Sequence, residues 1–185
     1  LVYSLTLAEQ ERYAGMGIEA PYVQYGVHPE YFEVTTHRSD DPENFYRRQA
    51  GGTGREAEDP AGGVYFHYHA GLLGKRKPFK EVINAFSATR EPELKLIVKA
   101  QIERRMKFLE RAVKKDPRIE LVLEDLPTDV HLQMFADADV CMAPARWEGL
   151  GLHLYEAIAF GQPIVCNDDA PMNELVTDGV NGILV

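Results

Sequence analysis

Two glutamates eight positions apart, Glu148 and Glu156, bracket the short run Gly149, Leu150, Gly151, Leu152. The apolar run at 140–143 reads as a strand and 152–160 as a helix, so the glycine loop opens that helix. The first backbone N–H groups of a helix lack intrahelical partners and carry about half a positive charge, which suits them to hold a diphosphate. Gly149 and Gly151 let a ligand come close to the backbone there. At about 1.5 Å per residue, Glu156 lies about 7.5 Å along the axis from Gly151, comparable with the span from a diphosphate to its ribose. A carboxylate at that point can accept both ribose hydroxyls. Glu148, on the other side of the diphosphate, is placed to accept from sugar hydroxyls or to stabilise positive charge developing at an anomeric carbon.

Elements that would position these residues follow from residue 64 onward, where apolar runs of strand length alternate with amphipathic stretches of helix length. That alternation predicts an α/β fold, a parallel sheet wrapped by helices. Strands are expected at 64–68, 94–99, 119–123, 140–143, 163–166 and 183–185, mostly continuous in hydrophobicity as strands buried on both faces are. Helices are expected at 79–88, 102–115, 128–136, 152–160 and 172–176, with Thr128 and Asp129 supplying an N-cap. Residues 1–35 read as a domain edge or linker, with a strand remnant, a helix at 8–14 and a short strand at 22–25. Between 36 and 63, a composition rich in Gly, Pro, Asp and Glu buries little apolar area and predicts a long flexible loop. The donor-binding unit is thus assigned to 64–185.

Other polar residues have plainer readings. Asp137 and Asp139 have the spacing of a metal-binding pair but precede an apolar strand, which fits a turn or cap; no metal site is expected. Asp168 and Asp169 lead into Ala170 and Pro171, ordinary turn chemistry with the proline opening the next helix. His67 and His69 alternate on one strand and so share a sheet face, which points to packing. His153 follows the glycine loop and is a weak candidate for a sugar contact, with His28 and His131 weaker still.

Composition narrows the class. Lys and Arg number 20 against 29 Asp and Glu, a net charge of −9 that argues against a nucleic-acid partner. Positive charge gathers at Lys75, Arg76, Lys77 and Lys80, where an anion can be met, and again among Lys99, Arg104, Arg105, Lys107, Arg111, Lys114 and Lys115, read as the solvated face of a helix, with membrane association as the lesser alternative. Cys141 and Cys166 sit in apolar runs without metal-ligand spacing, as reduced structural thiols do. No apolar stretch approaches the roughly 20 residues that cross a bilayer, and the chain lacks a leader pattern, so a cytoplasmic location is expected.

The segment Glu148-Gly-Leu-Gly-Leu through Glu156-Ala to Gly161-x-Pro163-Ile-Val resembles the E-x7-E motif of retaining glycosyltransferases with the two-domain GT-B fold (group 1, or family 4-like). Gly26-Val27 with Phe32 is similar to the family's interdomain segment, and Asp178-Gly179 with Asn181-Gly182 to its last turn. The resemblance implies a Rossmann-like sheet with helices on both faces, the C-terminal donor-binding half of a GT-B enzyme. It implies a nucleotide diphospho-sugar, UDP- or GDP-linked, transferred with retention to an acceptor held by a missing N-terminal domain or partner subunit, and no cofactor or metal. A second family motif, Gly-Arg followed by a lysine five residues later, is matched in part: Gly71 and Lys77 fit, Leu72 stands where the arginine belongs, and Arg76 is the substitute expected to complete the diphosphate site. Val98-Lys99-Ala100 departs from the family's glycine-rich pattern, and the base is expected against 124–127. Two alternatives are a non-catalytic or split-subunit nucleotide-sugar binder, which the absence of a second α/β unit favours, and a sugar-nucleotide epimerase. A dinucleotide-dependent dehydrogenase ranks last because no G-x-G-x-x-G follows the first strand.

Overall fold

The computed structural model of this chain describes residues 2–34, 63–102 and 106–185. Six parallel strands form one sheet: β1 (Val64–Leu72), β2 (Leu94–Gln101), β3 (Ile119–Val122), β4 (Val140–Met142), β5 (Ile164–Cys166) and β6 (Gly182–Leu184), in the order β3-β2-β1-β4-β5-β6. The chain builds outward from β1 in one direction, then returns to the other side of β1 with β4. This is the Rossmann-like order, and it opens a crevice at the carboxyl ends of β1 and β4, where ligands of such sheets bind.

The connecting helices cover both faces. Leu96 and Val98 of β2 turn one way, with Tyr68, onto α2 (Phe79–Ala88) and α3 (Lys107–Lys115) through Val82, Ile83, Phe86 and Leu109. Ile97, between them, turns the other way with Tyr65 and Val122 onto Val130 and Met134 of α4 (Thr128–Ala136). On that same side Cys141, Ile164 and Cys166 pack with Phe135 and with Leu154 and Ala157 of α5 (Leu152–Ala159). Each large apolar side chain buried this way contributes about 1.5–3 kcal/mol.

Ahead of the sheet, α1 (Leu7–Gly15) is capped by Thr6, whose hydroxyl accepts from Glu9 N at 3.1 Å. Its N-terminus is tied to the sheet unit by Glu174, whose two carboxylate oxygens accept from Leu7 N (2.7 Å) and Ala8 N (2.9 Å). A 3-10 turn at Pro29–Phe32 lies against α5, with Tyr25 edge-on to Tyr155 at 5.4 Å and Tyr31 5.6 Å from Phe160. The short strand expected at 22–25 reduces to a single bridge between Ser4 and Tyr22. The loop expected over 36–63 lies, apart from Gly63, outside the described residues.

Several expectations are corrected. β1 runs on to Leu72, so Gly71 and Leu72 end the strand instead of following it; Gly71 has φ +58°, and the pairing with β2 shifts between His69 and Gly71. Lys99 belongs to the strand expected at 94–99 and not to a solvated helix face: its ammonium is buried and donates to Glu124 O at 2.9 Å. α3 begins at Lys107 instead of 102; Arg104 and Arg105 lie outside the described residues. The N-cap of α4 is Pro127, without a side-chain cap, and Thr128 is already helical. The helix expected at 172–176 is a single 3-10 turn, Met172–Glu174.

Candidate functional site

The loops that leave β1 and β4 are neighbours because the strands are, with His67 opposite Cys141 and Tyr68 opposite Met142. The first carries Arg76 and Lys77; the second carries Glu148 and ends in α5. Gly151 is the N-cap of α5 with φ +73°, and no side chain caps the helix, so its first N–H groups face the crevice. The positive φ favours glycine at Gly151, where a Cβ would also stand 2.9 Å from the movable end of Leu154, whereas one at Gly149 would meet only open space. Leu150 is half-buried, and Leu72, Trp147 and Leu152 are exposed.

Glu148 joins the two loops. Its carboxylate is 5% exposed and accepts from the Lys77 ammonium, itself 2% exposed, and from Arg76 Nη1 at 3.1 Å. Ionic partners make these the stronger class of hydrogen bond. The arrangement gathers two cations and one carboxylate at the N-terminus of α5, a net positive site. Arg76 thus arrives from the turn after β1 and stands beside Lys77, while Leu72 is half exposed and supplies nothing polar.

Glu156 occupies a different environment one turn into α5. Tyr31, from the turn at 29–32, donates its hydroxyl to Oε1 at 2.8 Å, and His69 Nδ1 stands 3.8 Å from Oε2, an ion-pair separation. Burial pushes the Glu156 pKa up, but His69 and Tyr31 outweigh it and hold the carboxyl below its ordinary range. Burial first, and the Glu156 carboxylate second, raise the Tyr31 phenol.

Behind Glu156, His67, His69 and His131 pack around Phe135, with His69 5.0 Å from His131 and 6.2 Å from His153. Burial holds His67 and His153 well below the usual histidine pKa and brings His131 down to about 4, so all three are neutral. Among the described residues, both nitrogens of His67 and Nε2 of His153 have no hydrogen-bond partner. His67 therefore packs, as its alternation predicts, whereas His69 reaches the site. His28 caps the turn at 29–32.

Beyond His69 and His131 lies a concavity of about 310 Å³ at the carboxyl ends of β1, β2 and β3, walled also by Gly71, Lys99, Gln101 and Leu126. A groove of about 710 Å³ between α2 and α3 is elsewhere. It opens where helices end and strands begin, away from the crevice, and its Arg118 is committed to Asp116 and to the carbonyls of Thr89 and Glu91.

The remaining acids have structural partners. Asp139 Oδ2 accepts from Tyr65 N at 2.7 Å, and Asp137 ends α4 beside Gln133. Asp168 and Asp169 accept from Asn173 Nδ2 and Ala170 N in their turn. Cys141 and Cys166 are free and buried, with burial raising both thiols, Cys166 to about 11. Among the described residues no group of three His, Cys, Asp or Glu side chains has a metal-holding arrangement. Sequence reading did not single out Tyr31 or Arg146, and read His69 as packing; only the position of His69 two residues before Gly71 hinted at it.

Comparison with known proteins bears on the fold and the family. The family model for glycosyl transferases group 1 matches residues 55–185. The lipopolysaccharide core biosynthesis mannosyltransferase LpsB of Rhizobium meliloti (strain 1021) is 51% identical over 41 residues, 22% of this chain and 12% of that protein. The Anabaena protein HepE, solved in complex with UDP-glucose, superposes with a TM-score of 0.68 at 18% identity, over 100% of this chain and 49% of its own. The C-terminal domain of a group 1 family glycosyl transferase, LpcC of Francisella tularensis, superposes with a TM-score of 0.64 at 20% identity, over 86% of this chain and 80% of its own. The chain thus spans about half the length of the first of these structures and a smaller part of the curated relative. It has the Rossmann-like half of the GT-B fold, and it belongs to the glycosyl transferases group 1 family.

Proposed function

We propose that this chain binds a nucleotide diphospho-sugar, UDP- or GDP-linked, as the donor half of a glycosyltransferase that transfers the sugar with retention at the anomeric carbon. The observation that carries the reading is the convergence of Lys77 and Arg76 on Glu148, in the loop that ends at the uncapped N-terminus of α5, with Glu156 one turn into the helix. The backbone of 149–152 holds the diphosphate, Lys77 and Arg76 stabilise the charge that the leaving group gains, Glu156 accepts the ribose hydroxyls, and Glu148 faces the sugar. Phosphate charge is met by side chains and backbone, so the reading includes no metal. The acceptor is held by a second domain or subunit across the crevice, and the buried free thiols suit a reducing cytoplasm.

A panel of UDP, GDP, ADP and their sugar conjugates, tested without metal by thermal shift on this chain and on Glu156→Gln, decides the donor. Stabilisation by one nucleotide family that is lost in the variant supports the reading. No shift for any of them at millimolar ligand counts against it. Retention is then read from the anomeric configuration of the product made with the acceptor half supplied.

A second reading, donor binding without turnover by this chain alone, is favoured by Leu72 at the position of an arginine. Release of free sugar or transfer by the isolated chain would reject it.

A further inference from the structure

Arg146, two residues before Glu148, makes three bonds to the segment that follows β1. Its backbone N–H donates to Arg76 O at 2.8 Å, its Nη1 to Lys75 O at 2.8 Å, and its Nη2 to Glu81 Oε1 at 2.5 Å, Glu81 being in the first turn of α2. One residue of the β4 loop thus fastens the turn 74–77 at its backbone and at the start of the helix behind it. The β4 loop is itself held from the other side, where Ala145 N donates to Asn167 Oδ1 at 2.8 Å.

We infer that Arg146 is a positioning residue for the diphosphate end of the donor site, clasping the 74–77 turn so that Lys77 and Arg76 face the N-terminus of α5. The inference rests on the donor-site reading above. Stability does not account for the contact: the Arg146 and Glu81 side chains are 46% and 63% exposed, and a solvated ion pair of that kind adds little to folding. What the clasp fixes is geometry. Two of its bonds end on carbonyls of Lys75 and Arg76, adjoining the two cations, and a planar fork holds a carbonyl and a carboxylate in fixed directions, which the rotating donors of an ammonium do not. Leu72 sharpens the need: with no guanidinium on the strand end, the cations must come from a turn, and a turn needs an anchor. Direct contact with phosphate is the rival role, and the engagement of Arg146 with Lys75 O and Glu81 speaks against it.

The test titrates UDP, GDP, uridine and guanosine into the whole chain and into Arg146→Ala, Arg146→Lys and Glu81→Gln, by calorimetry, with a thermal melt of each protein. A cation swung out of place forfeits a charge-assisted hydrogen bond to phosphate, so a loss of about 10-fold in diphosphate affinity is expected for both Arg146 variants. Nucleoside affinity and the ligand-free melting point should stay at the wild-type values, and Glu81→Gln should weaken the diphosphate in the same direction. Full rescue by lysine would overturn the inference, since only charge would then matter. Tighter diphosphate binding by Glu81→Gln would overturn it in favour of direct contact. An equal loss of nucleoside and diphosphate affinity with a lowered melting point would reduce Arg146 to a structural residue. Failure of the wild-type chain to bind either diphosphate would instead overturn the donor-site reading, and this inference with it.

Discussion

Replacing Glu148 with glutamine is expected to make the protein less stable and its grip on a diphosphate tighter. The Lys77 ammonium is 2% exposed and the Glu148 carboxylate 5%, so neither can turn to water when its partner is lost. Removing one member of such a pair destabilises by about 3–5 kcal/mol, because the other charge stays buried without compensation. Glutamine keeps the shape and one acceptor oxygen, which places the loss near the lower end, about 3 kcal/mol. For a chain of this size about 1 kcal/mol moves the melting point by about 2–4 °C, so the variant should melt about 6–12 °C below wild type. Arg76 adds little to this sum, being 41% exposed.

The same substitution changes the site from two cations and one carboxylate to two cations alone. A diphosphate bound there supplies the compensation that Lys77 has lost and no longer meets a repelling carboxylate. Two charges about 6 Å apart interact by about 3 kcal/mol at an effective dielectric constant of about 20, which bounds the gain at roughly 100-fold in affinity. A gain of about fivefold or more is the expected result, about 1 kcal/mol. Melts of both proteins across a series of UDP and GDP concentrations measure both effects, since the ligand-dependent shift follows mass action. A ligand-free variant melting within about 2 °C of wild type, or one binding diphosphate more weakly, refutes this account of the pair.

Other outcomes follow from the remaining contacts. Tyr31→Phe removes the 2.8 Å bond that orients Glu156, and should lower the preference for UDP or GDP over their 2′-deoxy forms by about fivefold, the equivalent of about 1 kcal/mol; an unchanged ratio would show that Glu156 needs no such support. Gly151→Ala forces a side chain into φ +73° and within 2.9 Å of Leu154, and should reduce stability by about 1–3 kcal/mol in urea unfolding, with wild-type stability contradicting the strain. Acid should loosen the fold well above the carboxylate range. Burial keeps His67, His131 and His153 neutral when folded, His131 down to about 4, whereas unfolded histidines take up protons near pH 6.5. The unfolded chain then binds more protons below about pH 6.5, so stability falls as pH drops toward 4, by up to about 1.4 kcal/mol per pH unit for each histidine. Glu156, held low, adds stability that is present above its unfolded pKa and lost only as pH falls through its folded value. Urea unfolding that is flat between pH 7 and pH 5 would exclude the histidine contribution.

Much of the architecture was legible because strands buried on both faces must be apolar without interruption. The runs at 94–99, interrupted only by lysines, and at 140–143 were read as strands on that ground, and α2 and α4 span the same residues in sequence and structure. The glutamate spacing was legible for a related reason: a strand, a glycine loop and a helix fix where both carboxylates fall. The end of β1 was not, because His69 and Gly71 break an apolar run just where the strand meets the crevice. Nor could spacing show that Tyr31 meets Glu156 across 125 positions, or that Arg146 meets Glu81 across 65. Those pairs arise from the order of strands in the sheet and the return of the chain over α5, and local periodicity carries no information about either. Lys99 was misplaced because a lysine is usually solvated; here the Glu124 carbonyl receives its ammonium.

The two glutamates differ in what surrounds them, and that difference underlies the separate roles proposed for them. Glu148 is held by full positive charges, and those charges can be exchanged only for another anion. Glu156 is held by a phenol hydroxyl and an imidazole, partners that other hydroxyls can join or replace without a change of charge. Further along the same crevice, past His69 and His131, the walls become mixed, with an ammonium, an amide and an apolar side chain around a small concavity. Read from α5 toward β3, the crevice passes from cationic to hydroxyl-accepting to mixed. A ligand that presents an anion, then paired hydroxyls, then a flat polar ring would meet each part in the order in which its own groups are joined. The order arises from the topology, since the loop after β4 and the loops after β1, β2 and β3 can come together only at the carboxyl edge of the sheet.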